Sequence, residues 1–234
     1  MEWINNLLIK LQALKAIHSV RKMPRIEKLT LWHMILEPER YAGIASGLAD
    51  MPLPDTIRIK GRDYTVPQTL EEFSTNICYA QRLFFATPEE FDVGIILRYV
   101  AGYYYPFVNK DKWDEKKVLM FYKKIISLRA INLYPVAIQL LKLMGELAER
   151  ERTLLNRQPS AQEVAANIER LNKFSSLTAL LFLQDSFKAT ESEVMLKPYD
   201  DCLARFLLAK EQNAFTERLQ EVYKQQQKPV HGKR

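Results

Sequence analysis

The chain has 234 residues, 47% of them apolar and 26% charged, with a formal net charge of +6. A chain of this size and composition can bury its own core without disulfides or a structural metal, and it is too apolar to be disordered throughout. Seven glycines are too few for the many tight turns of an all-β fold, and neither G-x-G-x-x-G nor G-x-x-x-x-G-K-[ST] occurs, which excludes the common phosphate-cradling loops.

Residues 2–22 read as an amphipathic helix, with Ile4, Leu7, Leu11, Leu14 and Ile17 recurring at three- and four-residue steps. Pro24 ends it. A second helix is expected over 25–37, stopped by Pro38, and a short one over 41–49. Two prolines within Met51-Pro-Leu-Pro-Asp55 mark the clearest boundary. The expected organisation is therefore an N-terminal amphipathic helical segment (1–50), a helical domain with a β-hairpin (51–227), and a basic tail (228–234).

After this linker the period changes to two. Ile57 and Ile59 alternate with Arg58 and Lys60, Gly61-Arg62-Asp63 supplies a turn, and Tyr64 and Val66 alternate with Thr65. A lone hairpin is marginal in water, so this one must pack on helices or pair with another strand. From Pro67 onward the pattern is helical. Thr69-x-x-Glu72, Thr87-Pro-Glu-Glu90 and Ser160-x-x-Glu163 are capping boxes, predicting helices over 69–85, 88–104 and 160–173. Asp111 is expected to cap a helix through Arg129, and Pro135 to open one reaching Asn156. A short apolar helix is expected over 176–187, Thr190 and Pro198 start the last elements, and the final helix covers roughly 199–225. The fold class is mainly α: a multi-helix bundle with one small β-hairpin near residues 56–66.

The sequence carries no recognisable catalytic or metal-binding motif. His18, His33 and His231 have no neighbour at ligand spacing, and H-E-x-x-H and G-x-S-x-G are absent. Glu71-Glu72, Glu89-Glu90 and Asp200-Asp201 stand where helices begin, where the helix dipole favours a carboxylate. Cys78 and Cys202 sit among apolar residues as buried thiols in a reducing compartment. No transmembrane segment, no signal peptide, no cofactor and no metal are expected.

One third of the chain is crowded with aromatics, including Tyr103, Tyr104, Tyr105, Phe121 and Tyr122, interleaved with Lys116, Lys117, Lys123 and Lys124. Three consecutive tyrosines on one helix cannot all point inward, so at least one is expected outside or at an interface. The lysines could instead track a phosphate backbone while aromatics stack on bases. Gln158–Ala165 looks at first like the opening of a helix-turn-helix, but the helix continues where that motif turns. The N-terminal helix could also lie on a membrane surface, though packing on protein accounts for the same pattern.

The stretch Thr56-Ile-Arg-Ile-Lys-Gly-Arg-Asp-Tyr-Thr-Val-Pro67, followed by Thr69-Leu-Glu-Glu-Phe73, resembles the start of small proteins from tailed-phage morphogenesis gene clusters. Ala204–Leu219 is similar to the closing helix of such proteins. The resemblance implies a non-enzymatic component of a phage particle or tail, located in the virion or the host cytoplasm. It implies work through contacts with other virion or assembly proteins as a homo- or hetero-oligomer. The expected contact residues are Trp3, Leu7 and Leu11, then Ile57, Ile59 and Tyr64, then Tyr103, Tyr104 and Tyr105. A nucleic-acid-binding protein using Lys116, Lys117, Lys123 and Lys124 is the alternative.

Overall fold

The computed structural model describes residues 47–48, 50–85, 93–156 and 174–226. The chain falls into two compact units, Met1–Ala148 and Glu149–Arg234. Among the described residues the fold is mainly α, with eight helices and one two-stranded antiparallel hairpin. No described helix is long and apolar enough to cross a membrane. The expected helices over 2–22, 25–37 and 160–173, most of 41–49, the capping box at Thr87 and the tail 228–234 lie outside the described residues.

In the first unit β1 (Thr56–Ile59) pairs with β2 (Arg62–Thr65), Ile57 opposite Tyr64 and Ile59 opposite Arg62. The turn is Lys60-Gly61, one residue earlier than expected, with φ of 51° and 77°. Two left-handed residues in a two-residue loop match the twist of the strands they join. Alternation does the rest. Ile57 and Ile59 are buried, while on the other face Arg58 grips Asp63 through two hydrogen bonds of 2.9 Å each. Lys60 Nζ reaches Asn109 Oδ1 at 2.8 Å, fixing the turn to the helical body.

Thr69 caps its helix, but the reciprocal half of the expected box falls one residue early, on Gln68 N–H in place of Thr69 N–H. Glu72 N–H donates to Thr69 Oγ1 at 3.2 Å, and the Glu72 carboxylate accepts from Gln68 N–H at 2.7 Å. The expected single helix over 69–85 is two helices, α1 (Leu70–Thr75) and α2 (Tyr79–Phe84). The break falls where the Asn76 side chain donates back to Glu72 O at 2.7 Å, a local bond that competes with helix continuation. Cys78 is then extended, and its N–H donates to Gln81 Oε1 at 2.9 Å to restart the helix.

Helix α3 (Val93–Asn109) runs through Pro106, five residues past its expected end. A helical proline leaves the carbonyl four residues earlier without its N–H donor. That carbonyl is Gly102 O, and the buried Gln81 side chain donates to it through Nε2 at 2.9 Å. Gly102 also lies close against α2: a Cβ there would lie 2.8 Å from Phe84 Cε1. α4 (Glu115–Ile125) packs along α3 and is capped by Asp114, whose Oδ1 accepts from Lys117 N–H at 2.9 Å. It starts later and ends earlier than the expected 111–129. α5 (Ala130–Leu155) begins five residues before Pro135, with Leu133, Val136, Leu140, Leu143 and Leu147 buried at helical spacing.

The second unit holds the last residues of α5, then α6 (Ser175–Phe187), α7 (Glu191–Met195) and α8 (Tyr199–Gln226). Lys188 closes α6 in the left-handed conformation, φ 52°. Thr190 caps α7, with its N–H and hydroxyl both 2.8 Å from Glu193 Oε2. Phe182 of α6 stacks on Phe206 of α8 at 5.5 Å.

Candidate functional site

The residues expected to meet a partner through the hairpin turn out to build the core. Ile57 and Ile59 are buried and Tyr64 is half-buried, because the hairpin lies against its own helices and finds its cover there. The expectation that one of Tyr103, Tyr104 and Tyr105 reaches the outside is corrected, since all three are buried. Successive helical residues differ by about 100°, and α3 has a neighbour in each of these directions. Tyr103 stacks on Phe73 of α1 at 5.4 Å. Tyr104 meets Tyr64 edge-on at 6.4 Å and donates its hydroxyl to Thr65 O at 3.2 Å. Tyr105 lies against Phe121 of α4 at 5.9 Å and donates to Asp111 Oδ2 at 3.0 Å. Trp3, Leu7 and Leu11 lie outside the described residues.

A cleft of ≈ 480 Å³ opens between the hairpin, α1 and α3, lined among others by Asp63, Tyr64, Glu72, Tyr103 and Phe107. Both of its carboxylates are already engaged. Asp63 is held by Arg58, whose hydrogen bonds pull the carboxyl below its ordinary range. Glu72 is spent on the helix cap. Burial, with Glu72 nearby, pushes the Tyr103 hydroxyl far above the ordinary tyrosine value, so it stays protonated. A nucleophile needs an adjacent base to act at neutral pH, and none of these groups supplies the pair. Among the described residues no three His, Cys, Asp or Glu side chains stand close enough to share a metal ion.

On α4 the lysines divide. Lys116, Lys123 and Lys124 are exposed. Lys117 instead bonds Asp111 Oδ2 at 2.6 Å, beside the Tyr105 hydroxyl, and Asp111 is held below its ordinary range by these bonds and by Lys112 N–H. Between Lys116 and Lys123 the exposed apolar residues are Leu119 and Met120. Phe121 is buried and Tyr122 half-buried, so α4 carries charge without an open aromatic platform.

The feature that sequence reasoning missed is on α8. One face of this helix is inward: Tyr199, Cys202 and Leu203 are buried, Phe206 stacks on Phe182, and Lys210 Nζ donates to Leu154 O at 2.7 Å. The opposite face is also apolar, yet open. Leu208 is 51% exposed and Phe215 59%, and Leu219, Val222 and Tyr223 are exposed with them. Phe174, Leu177 and Leu181 form a second open apolar row along α6. The signal for the α8 face was the seven-residue step Leu208–Phe215–Val222. It was hidden because Leu203, Phe206 and Leu207 point the other way, and two opposed stripes cancel in a search for a single amphipathic face. No protein-family model, curated protein or solved structure matches the chain.

Proposed function

We propose that the chain is a non-enzymatic structural or assembly component of a phage particle or tail, acting through protein–protein contacts. One observation carries the reading: α8 presents an open apolar face opposite the one it packs with. Scattered exposed hydrophobics are ordinary on a protein surface, but a row repeating along one helix face marks an interaction site. The phage setting rests on the likeness of Thr56–Phe73 and Ala204–Leu219 to morphogenesis proteins. The surface that does the work is then α8, and with it α6, in place of the hairpin and the tyrosines. Light scattering after size exclusion, at low and high salt and over a range of concentrations, tests this. A defined oligomer is expected at both salts. A monomer throughout removes self-assembly.

Lys116, Lys123 and Lys124, exposed along α4, favour nucleic-acid binding as the second reading. That reading requires an affinity for a DNA or RNA oligonucleotide that falls steeply and linearly with salt on logarithmic axes. Absence of binding at low salt eliminates it.

A further inference from the structure

From Glu211 to Lys224 every described side chain of α8 is exposed except Ala214, which is half-buried. A helical arm of this length without packing is marginal in water, because helix stability in proteins comes mainly from a covered apolar face. The outer face has the pattern that a second helix covers. Leu208, Phe215 and Val222 repeat every seven residues, and Arg205, Gln212, Leu219 and Gln226 fall between them at alternating steps of three and four. Those are the two core positions of a heptad. The inward residues Leu203, Phe206 and Lys210 occupy the opposite positions, and Arg205 at the seam's start stays over the Phe187 ring of α6 at 5.0 Å, so pairing along the seam from Leu208 onward leaves the packing of the unit undisturbed.

The charges beside the seam choose the occupant. Glu211 and Arg218, both exposed, hold equivalent flanking positions one heptad apart. In a parallel pair of α8 helices Glu211 would face Thr216, Arg218 would face Tyr223, and Arg205 would face Arg205 across the core. In an antiparallel pair the same flanking positions face each other. Sliding one helix by a heptad in one direction sets Arg218 against Arg218, and in the other sets Glu211 against Glu211. The register between these sets Glu211 against Arg218 of the second copy twice, once on each side of a two-fold axis between Asn213 and Ala214. It also lays Leu208 on Leu219 of the second copy and Phe215 beside Gln212 of the second copy, and a polar residue at such a core position fixes register. The interface is isologous, as a closed dimer requires.

We infer that the outer seam of α8 docks α8 of a second copy, antiparallel, in the register that pairs Glu211 with Arg218. This deepens the assembly reading and rests on it. The test uses the full chain and its variants E211R, R218E, the double swap E211R/R218E, and F215E, with mass by light scattering across a dilution series and helix content by circular dichroism. E211R and R218E each place like charges in both flanking pairs and are expected to weaken the dimer about tenfold. The double swap restores it, and F215E gives a monomer with unchanged fold. An oligomer indifferent to all four variants overturns this docking while leaving assembly through another surface standing. A wild-type monomer at every concentration overturns this docking and self-assembly with it, leaving contacts with other proteins as the remaining form of the assembly reading. If the charge variants weaken the dimer and the double swap does not rescue it, the register is wrong and the inference falls.

Discussion

Gln81 donates through Nε2 to the carbonyl of Gly102 at 2.9 Å, filling the place of the N–H that Pro106 lacks. The same amide accepts from Cys78 N–H through Oε1. One buried side chain therefore starts α2 and completes α3.

Removing that amide leaves a buried carbonyl and a backbone N–H without partners. Gln81→Leu is expected to lower stability by about 1–3 kcal/mol. Pro106→Ala restores a backbone donor to Gly102 O, so the same Gln81→Leu change should cost less in that background. A double-mutant cycle in urea measures the coupling, and strict additivity would refute the link.

Gly102 is demanded by space. A methyl group there would sit 2.8 Å from Phe84 Cε1 and 3.1 Å from Phe85 Cε1, and aromatic rings in a packed cluster yield little. Gly102→Ala is expected to cost about 1–3 kcal/mol in spite of alanine's better helix propensity. A more stable Gly102→Ala protein would show that α2 can move away at no cost.

The hairpin isoleucines are core residues, and their loss should be read as loss of fold. Ile57→Ala and Ile59→Ala are each expected to cost about 2–5 kcal/mol. Any fall in oligomer mass should then track the folded fraction measured by circular dichroism. An Ile59→Ala chain of full stability but altered oligomeric mass would return the hairpin to the surface.

Tyr103 and Tyr104 have hydroxyls pushed far upward by burial. Above the ordinary tyrosine value of 10.0 the unfolded chain loses these protons while the folded chain keeps them. Stability from this source is complete below that value and declines as pH rises beyond it. An ultraviolet titration should show both phenols ionising only together with unfolding. Ionisation with native circular dichroism retained would contradict their burial.

Asp111 behaves in the opposite sense. Lys117, the Tyr105 hydroxyl and Lys112 N–H hold its folded value below 3.8, so its contribution is present above 3.8 and disappears as pH falls through the lowered value. Asp111→Asn should flatten the acid limb of the stability curve. Because the pair is exposed, the effect should also shrink with added salt.

Local signals were legible wherever chemistry is local. The period-two run marked the hairpin, Thr69 with Glu72 marked α1, and Thr190 and Pro198 marked α7 and α8. What was illegible depended on neighbours. Pro106 reads as a helix end until Gln81 is known to lie beside it. Pro135 reads as a helix start, yet α5 begins a turn and more earlier. Asp111 reads as a cap, but Tyr105 and Lys117 claim it and Asp114 caps instead. The tyrosine run reads as partly exposed because nothing local reveals that α3 is packed against α1, the hairpin and α4 in turn. On α8 two apolar faces conceal each other.

The hairpin has one more consequence. Among the described residues its sheet has two strands, so each strand is an edge, and an open edge invites another backbone to add to it. Here Arg58, Lys60, Arg62 and Asp63, all exposed, crowd both edges and the turn within six residues. A strand arriving from another molecule would have to strip water from these charges. Charges so placed are the usual guard against growth of a sheet edge to edge.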